Sequence, residues 1–174
     1  MVESCCHLNE ARIATVSSPR TVVPDLPPPI PTCPRCGQKG KPIGQQLVKA
    51  MLAVSLRRVT SDEYFFCRTE DCPVVYYSRD GSSIFVENDV RDVVYQKHPH
   101  DPETPICYCF RHKVKELTLA SAEEAEQVVA DIRAGTAADQ CACDIRNPQG
   151  SCCLGNVTLV AKLGRATARE TEHA

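Results

Sequence analysis

Apolar residues recur at helical and then at strand spacing in the first half of the chain. Residues 45–59, QQLVKAMLAVSLRRV, place Val48, Met51 and Leu52 at helical spacing, which predicts a short amphipathic helix. From Glu63 onward the runs EYFFC, PVVYYS and SIFVE are rich in aromatic and β-branched residues, and RDGS separates the last two. Such runs with a turn between them predict a small antiparallel sheet.

A second helical region is predicted further along the chain. Ser121 and Glu124 have the spacing of a capping box, in which each side chain satisfies a free backbone donor at a helix start. Gly135 is the predicted carboxyl-terminal cap of this helix. Another helix is predicted after the last cysteines, before a frayed polar tail over residues 166–174. The residues expected to face the core are Ala122, Ala125, Val128, Val129 and Ile132 in the first helix, and Leu154, Val157, Val160, Ala161 and Leu163 in the second.

Two proline-rich segments divide the chain. Residues 1–30 show no periodicity and end in VVPDLPPPI, which predicts a flexible arm, because proline locks φ and lacks a backbone donor. Residues 98–105, HPHDPETP, carry three prolines in eight residues and predict a linker. We therefore expect a first module over residues 31–98 and a second over residues 105–165.

Composition narrows the class of protein. The 174 residues include 12 cysteines, and the formal net charge is −2. The amino terminus lacks the pattern of a secretory signal and no segment approaches a membrane span, so we expect a cytoplasmic protein with reduced thiols that bind metal rather than form disulfides. The charge and the lack of a basic run argue against nucleic-acid binding. The sequence contains no recognisable catalytic constellation and no phosphate-binding glycine loop, so we do not expect an enzyme.

Four cysteines of the first module form two short pairs. Cys33-Pro-Arg-Cys36-Gly37 is a tight knuckle, and Cys67 and Cys72 form a longer pair at a strand end. Two such pairs can converge on one tetrahedral zinc ion, and four thiolates would make the site closed and structural. The alternative is that Cys67 and Cys72 are buried as small hydrophobic residues.

The second module contains another cysteine constellation. Cys107-Tyr-Cys109 is followed after the capped helix by Cys141-Ala-Cys143, and nine residues separate Cys143 from Cys153. A Cys-x-Cys pair and a later pair from a loop can hold a [2Fe–2S] cluster, which takes two thiolates on each iron. Spacing alone also permits a second zinc ion.

The runs CPRCG, YFFCRTEDCPVVYY, CYCF and NPQGSCC together resemble the amino-terminal domain of CopZ-type copper chaperones, and stand-alone bacterial proteins described as iron–sulfur cluster-binding metallochaperones. The resemblance implies an α+β fold: a small zinc-ribbon-like β module with one short helix, then a helical [2Fe–2S] module similar to bacterioferritin-associated ferredoxin. It implies zinc ligation by Cys33, Cys36, Cys67 and Cys72, and cluster ligation by Cys107, Cys109, Cys143 and Cys153. Cys143 is preferred over Cys141 because its distance to Cys153 matches the family pattern. CopZ chaperones also carry a second Cys-x-x-Cys domain for Cu(I), which this sequence does not include.

The remaining soft ligands are candidates for transferable metal. They are Cys5, Cys6, His7, Cys141 and Cys152. The alternatives are that Cys5 and Cys6 have no function, and that Cys141 and Cys152 are alternative cluster ligands or buried fillers. Thiolates and imidazole suit Cu(I). The leading hypothesis is a metallochaperone that handles copper or another soft metal and passes it to an exporting ATPase or another acceptor. The family resemblance further implies that it reduces Cu(II) to Cu(I) before transfer. A ferredoxin-like electron-transfer protein and a metal or redox sensor acting through a partner are the alternatives.

Overall fold

The computed structural model describes residues 31–172 of the chain, with side chains for residues 31–164. The predicted arm, residues 1–30, lies outside the described residues. The strands are β1 (Lys41–Gly44), β2 (Glu63–Phe66), β3 (Val74–Ser78), β4 (Ile84–Val86), β5 (Pro105–Cys107) and β6 (His112–Lys113). The helices are α1 (Gln45–Met51), α2 (Lys115–Thr118), α3 (Ala122–Ala137), α4 (Cys143–Arg146) and α5 (Leu154–Glu172). An antiparallel sheet and several helices make this a mixed α+β fold, as predicted.

The first four strands form one antiparallel sheet in the order β1-β2-β3-β4. Phe65 in β2 lies opposite Pro42 in β1 and Tyr77 in β3. The sheet is predicted by the aromatic runs, whereas β1 is not, because KPIG contains no β-branched or aromatic run. The strands β5 and β6 form a separate two-stranded sheet.

Both faces of the large sheet are covered. Alternation along β2 sends Tyr64 and Phe66 to one face, against α1, and Phe65 to the other, against the cysteines. A register shift between Val74 and Tyr76 interrupts this alternation in β3. Every residue of β3 is buried, because side chains pack against both faces of the sheet. The α1 face also contains Leu47, Val48, Met51, Leu52, Val75, Tyr76, Phe85, Val90 and Val94, and the cysteine face contains Val74 and Tyr77.

The first helix is shorter than the sequence predicts. The pattern over residues 45–59 predicts one helix, but α1 ends at Met51 and a short 3-10 turn follows at Leu56–Arg58. Leu52 is extended and forms a β-bridge with Val90, while the Arg91 N–H donates to the Met51 carbonyl at 2.9 Å. This tertiary pairing replaces the next helical hydrogen bonds, which the local pattern cannot reveal.

The helices of the second half pack around a separate cluster of buried side chains. At the start of α3 the Glu124 N–H donates to the Ser121 hydroxyl at 3.2 Å, and the Ser121 N–H donates to the Glu124 carboxylate at 2.8 Å, so the predicted capping box is confirmed. Of the predicted core residues, Ala122 is exposed and Leu163 is 58% exposed. The backbone of α5 stays helical through Glu172, so this helix is longer than predicted. The fraying of residues 166–174 stays a prediction.

Gly135 lies inside α3 and is not its cap. The helix continues to Ala137, and Ala138 is the capping residue. Gly135 is buried, and a Cβ atom at this position would overlap the ring of Phe110. The glycine is therefore required by the close approach of an aromatic ring rather than by the turn that ends the helix.

The loop of residues 147–150 joins the two halves. The Tyr76 hydroxyl, which is buried, donates to the Pro148 carbonyl at 2.9 Å, and the Lys41 ammonium donates to the Gln149 carbonyl at 2.7 Å. Gly150 has a positive φ of 62° and lies against Leu47 of α1. The loop that leads to Cys153 is thus held by the large sheet and its helix.

Within residues 31–172, no helix has both the length and the hydropathy needed to cross a bilayer.

Replacement of Gly135 by alanine is expected to lower the free energy of unfolding by about 1–2 kcal/mol, because overlap with Phe110 outweighs the gain in helix propensity. Denaturant unfolding followed by circular dichroism measures the change. The matched control is Gly155→Ala in α5, where a Cβ atom meets open space. This control is expected to be neutral or to stabilise by up to about 1 kcal/mol. Equal effects of the two variants would contradict the packing argument.

Candidate metal centres

The four cysteines of the first module converge on one point. The sulfurs of Cys33, Cys36, Cys67 and Cys72 all lie within 4.8 Å of one another. The Sγ atoms of Cys33 and Cys72 are 3.8 Å apart, and those of Cys36 and Cys67 are 3.6 Å apart. Four sulfurs at about 2.3 Å from one tetrahedral ion are separated by about 3.8 Å, so the spacing suits a single ion. Among the described residues, this is the one group of three or more such side chains close enough to surround one ion.

Local backbone structure positions these sulfurs. In the first knuckle, Gly37 adopts a positive φ of 71° and its N–H donates to the Cys33 carbonyl at 2.9 Å, which closes the tight turn. Cys67 follows the last residue of β2, and its N–H donates to the Val75 carbonyl at 2.9 Å. Strand pairing therefore brings the second pair of cysteines to the end of the sheet where the knuckle lies.

Hydrogen bonding and burial shift the pKa values of Cys33, Cys36 and Cys72 in different directions. Burial raises the pKa of Cys36, but hydrogen bonds from the Thr69 hydroxyl, the Gln38 N–H and neighbouring thiols outweigh it and lower this pKa to about 6. Burial raises the pKa of Cys72 to about 12 and also raises the pKa of Cys33. Metal binding at neutral pH must therefore displace protons from Cys33 and Cys72.

The cysteines predicted for the second site lie together as two pairs. The sulfurs of Cys109 and Cys143 are 3.7 Å apart, and Cys107 and Cys153 lie close enough for the Cys153 thiol to lower the pKa of Cys107. Each pair joins the Cys-x-Cys knuckle to the later loop. Cys107, Cys143 and Cys153 are buried, and Cys109 is half-buried. None of the cysteines that the structure describes forms a disulfide.

The pKa values of Cys107, Cys143 and Cys153 at the second site are also shifted in different directions. The hydrogen bond from Cys153 lowers the pKa of Cys107 to about 6, and backbone N–H groups of Phe110 and Cys109 act in the same direction. The pKa of Cys153 is raised in turn, first because its thiol donates to Cys107 and then because it is buried. Burial raises the pKa of Cys143 to about 12. The backbone N–H of Ala142 donates to the Cys109 sulfur at 3.3 Å.

The remaining candidate ligands are separate from these pairs. Cys141 is half-buried, and Cys152 is exposed, with its sulfur accepting from the Leu154 N–H at 3.5 Å. The structure places the sulfur of Cys143 beside that of Cys109, and cluster ligation by Cys143 rather than Cys141 stays a prediction. The candidates Cys5, Cys6 and His7 lie outside the described residues.

His112 lies near the second site but its ring is held by carboxylates. Its Nδ1 is 2.7 Å from a Glu116 oxygen, and its Nε2 is 3.0 Å from an Asp131 oxygen. Burial lowers the pKa of His112, but these two carboxylates outweigh burial and raise it. Both ring nitrogens therefore have partners other than metal.

Three residues that are not themselves candidate metal ligands support the sites. The Thr69 hydroxyl is 3.3 Å from the Cys36 sulfur, and the buried Lys97 donates to the Thr69 carbonyl at 2.6 Å. Tyr108 lies between Cys107 and Cys109, and its hydroxyl donates to a backbone carbonyl. Position between two cysteines draws attention to Tyr108, whereas no sequence pattern connects Lys97 with a loop 28 residues earlier.

Comparisons with known proteins agree with this geometry. Residues 30–91 match the family model zf_CopZ, whose description is zinc binding domain. The copper chaperone CopZ of Archaeoglobus fulgidus is 27% identical to the chain over 121 residues, which cover 70% of the chain and 57% of that protein. The match therefore spans little more than half the length of this relative.

A solved structure extends the likeness to the fold. The X-ray structure of the Archaeoglobus fulgidus CopZ N-terminal domain is similar to the chain, with a TM-score of 0.58 and 27% identity. The alignment covers 74% of the chain and 96% of that domain. The resemblance to the amino-terminal domain of CopZ-type copper chaperones is thereby confirmed.

Zinc affinity at the first four cysteines is expected to fall as the pH falls from about 8 to about 6, because Cys33 and Cys72 must lose protons to bind metal. For each proton released on binding, the affinity should fall roughly tenfold per pH unit. Competition with a chromophoric chelator measures the affinity. Calorimetry in buffers of different ionisation enthalpy counts the protons. Cys72→Ser is expected to weaken zinc binding at least tenfold, and Cys152→Ser, which alters an exposed thiol outside this group, is the matched control. An affinity independent of pH would contradict the thiol site.

Proposed function

We propose that this chain is a CopZ-like metallochaperone that binds zinc at Cys33, Cys36, Cys67 and Cys72, binds a [2Fe–2S] cluster at its second site, and handles copper. The observation that carries the proposal is the difference between the two cysteine groups. The first four sulfurs surround one point, while Cys107, Cys109, Cys143 and Cys153 form two pairs. One ion takes the first arrangement, and two metal atoms with two thiolates each take the second.

Zinc fits the first site by donor type and by role. Four thiolates complete a tetrahedral shell, so such an ion has no open position for a substrate and acts in the structure. The sulfurs pack against Phe65, Val74 and Tyr77 on one face of the sheet. A bound ion would therefore stabilise a small core that is built partly from its own ligands.

A [2Fe–2S] cluster fits the second site by donor type and surroundings. The backbone N–H of Ala142 donates a hydrogen bond to the Cys109 sulfur, and backbone N–H groups near Cys107 help to lower the pKa of that thiol. Cys153 directly precedes α5, and the Val157 N–H donates to its carbonyl at 3.0 Å. The positive end of a helix of 19 residues thus lies beside this thiol. When bound, such a cluster supplies one electron at a time.

The exposed thiols suit a transferable soft ion. Cys152 is exposed next to Cys153, and Cys141 is half-buried two residues before Cys143. We propose that these thiols, together with Cys5, Cys6 and His7 of the arm, hold Cu(I) transiently and deliver it to an exporting ATPase or another acceptor in the cytoplasm. Reduction of Cu(II) to Cu(I) takes one electron, which a cellular one-electron donor supplies through the second site.

The proposed organisation follows the buried side chains, which cover the two faces of the large sheet in the first half and lie among the helices in the second. Residues 31–98 form the zinc module and residues 105–165 the helical module similar to bacterioferritin-associated ferredoxin. The chain acts as a carrier with an ancillary redox step rather than as an enzyme. An electron-transfer protein is the second candidate, since a cluster held by the paired thiols would serve electron transfer without any cargo.

Replacement of Cys143 by serine is expected to abolish the visible absorbance and the iron and sulfide content of the second site after anaerobic purification, because serine removes one of the four thiolates. Elemental analysis and absorption spectroscopy measure the loss. Cys141→Ser is the matched control, two residues away, and is expected to keep both. A wild-type protein with two zinc ions and no iron would contradict the cluster.

The double replacement Cys141→Ser and Cys152→Ser is expected to weaken Cu(I) binding at least tenfold while the second site keeps its absorbance, because it removes only thiols outside the two pairs. Competition with a chromophoric Cu(I) chelator measures the affinity. The same assay on Cys5→Ser with Cys6→Ser tests the arm. Unchanged Cu(I) affinity in both double variants would favour the electron-transfer protein.

A further inference from the structure

A chain of hydrogen bonds leads away from the first four cysteines through the loop between Cys67 and Cys72. The Thr69 hydroxyl in this loop is 3.3 Å from the Cys36 sulfur. The carbonyl of the same residue accepts a hydrogen bond from the Lys97 ammonium at 2.6 Å. Lys97 is only 4% exposed, so its charge is buried against this loop. A buried ammonium requires such partners, and losing one would be costly.

The segment that contains Lys97 also holds the second cysteine group. The Lys97 N–H donates to the Val94 carbonyl at 2.9 Å, which closes a turn. In the same segment the Val93 carbonyl accepts from the Tyr108 hydroxyl at 2.8 Å, and the Tyr95 N–H donates to that hydroxyl at 2.9 Å. Tyr108 is 5% exposed and stands between Cys107 and Cys109. Residues 93–97 therefore contact both the loop between Cys67 and Cys72 and the residue between Cys107 and Cys109.

We propose that Lys97 and Tyr108 are positioning residues that couple the two metal sites. Metal at the first four cysteines fixes the Thr69 loop, since its ligands lie at both ends of that loop. The fixed Thr69 carbonyl holds Lys97 and with it the backbone of residues 93–97, which in turn holds Tyr108 and the Cys107–Cys109 knuckle. By linkage, metal at the second site raises the affinity of the first by the same factor.

A second contact between the halves provides an internal comparison. The Tyr76 hydroxyl donates to the Pro148 carbonyl and so anchors the loop that leads to Cys153. This contact involves neither Thr69 nor Lys97. Its removal weakens the second site whether or not the first site holds metal, whereas removal of Lys97 or of the Tyr108 hydroxyl removes the dependence on metal.

The proposal rests on the proposed binding of zinc by the first four cysteines, and it is tested on the full chain by thiol alkylation. The reduced, metal-free protein is treated with an alkylating reagent, with or without one equivalent of Zn²⁺, and each cysteine is followed by peptide mass spectrometry. In the wild type, Zn²⁺ is expected to protect the first four cysteines and also to slow alkylation of Cys107 and Cys109 about tenfold. In Lys97→Met, Zn²⁺ still protects the first four cysteines but slows alkylation at Cys107 and Cys109 less than about twofold.

Three further variants separate coupling from a general loss of stability. Tyr108→Phe, which keeps the ring, is expected to behave like Lys97→Met and serves as the test if Lys97→Met does not fold. Lys97→Arg, which keeps the charge, is expected to restore most of the Zn²⁺ effect. Tyr76→Phe speeds alkylation of Cys153 equally with and without Zn²⁺ and keeps the Zn²⁺ effect at Cys107.

Three outcomes would overturn the proposal, and they are distinguishable. Equal slowing of Cys107 and Cys109 by Zn²⁺ in the wild type and in both Lys97→Met and Tyr108→Phe would show that coupling does not run through these residues. Protection of the first four cysteines without any slowing at Cys107 in the wild type would remove the coupling and leave the zinc site intact. Failure of Zn²⁺ to protect the first four cysteines would contradict the zinc site itself and the coupling with it.

Discussion

The convergence of four cysteine sulfurs at one end of the sheet is the constraint on which the rest of the structure depends. Cys33 and Cys36 come from a turn, and Cys67 and Cys72 flank the connection between β2 and β3, so the sheet must pair in one register for the sulfurs to meet. A one-residue slip would send Phe65 and Cys67 to the opposite face. On this face of the sheet, thiols take the place of some of the apolar side chains that ordinarily fill a core.

The two cysteine groups lie in different packing environments. The first lies beneath aromatic side chains of the sheet, where small thiols fill the space beside Phe65 and Tyr77. The second lies among helices, with Cys107 and Cys153 inside the cluster that includes Ile106, Leu117 and Val157. In both groups one thiol has a pKa lowered to about 6 while buried neighbours have raised values. The thiols with raised pKa values must lose their protons as metal enters.

The sequence predicts those features that depend on local pattern. The aromatic runs of the sheet, the Ser121–Glu124 capping box and the CPRCG turn all act within a few residues, and the structure contains each of them. The ends of elements were less predictable. Helix α1 stops at Met51 because residues 89–91 pair with the following backbone, and Gly135 is buried because Phe110 arrives from elsewhere in the chain.

The candidate sites show the same difference between features that follow from local pattern and features that depend on tertiary contacts. Spacing brought out both groups of cysteines, and the family resemblance selected Cys143, which the structure places beside Cys109. The supporting contacts of Thr69 and Lys97 could not be found in this way, because they join segments 28 residues apart through a carbonyl that every residue possesses. Such contacts depend on tertiary structure alone.

The position of Tyr108 has a consequence for spectroscopy. The chain contains no tryptophan and only five tyrosines, so its intrinsic ultraviolet emission comes from few, separately replaceable residues. Tyr108 is buried between two cysteines of the second site, with its hydroxyl held by the backbone of residues 93–95. The ring is thus a built-in optical reporter whose surroundings change when the neighbouring thiols lose protons or gain metal.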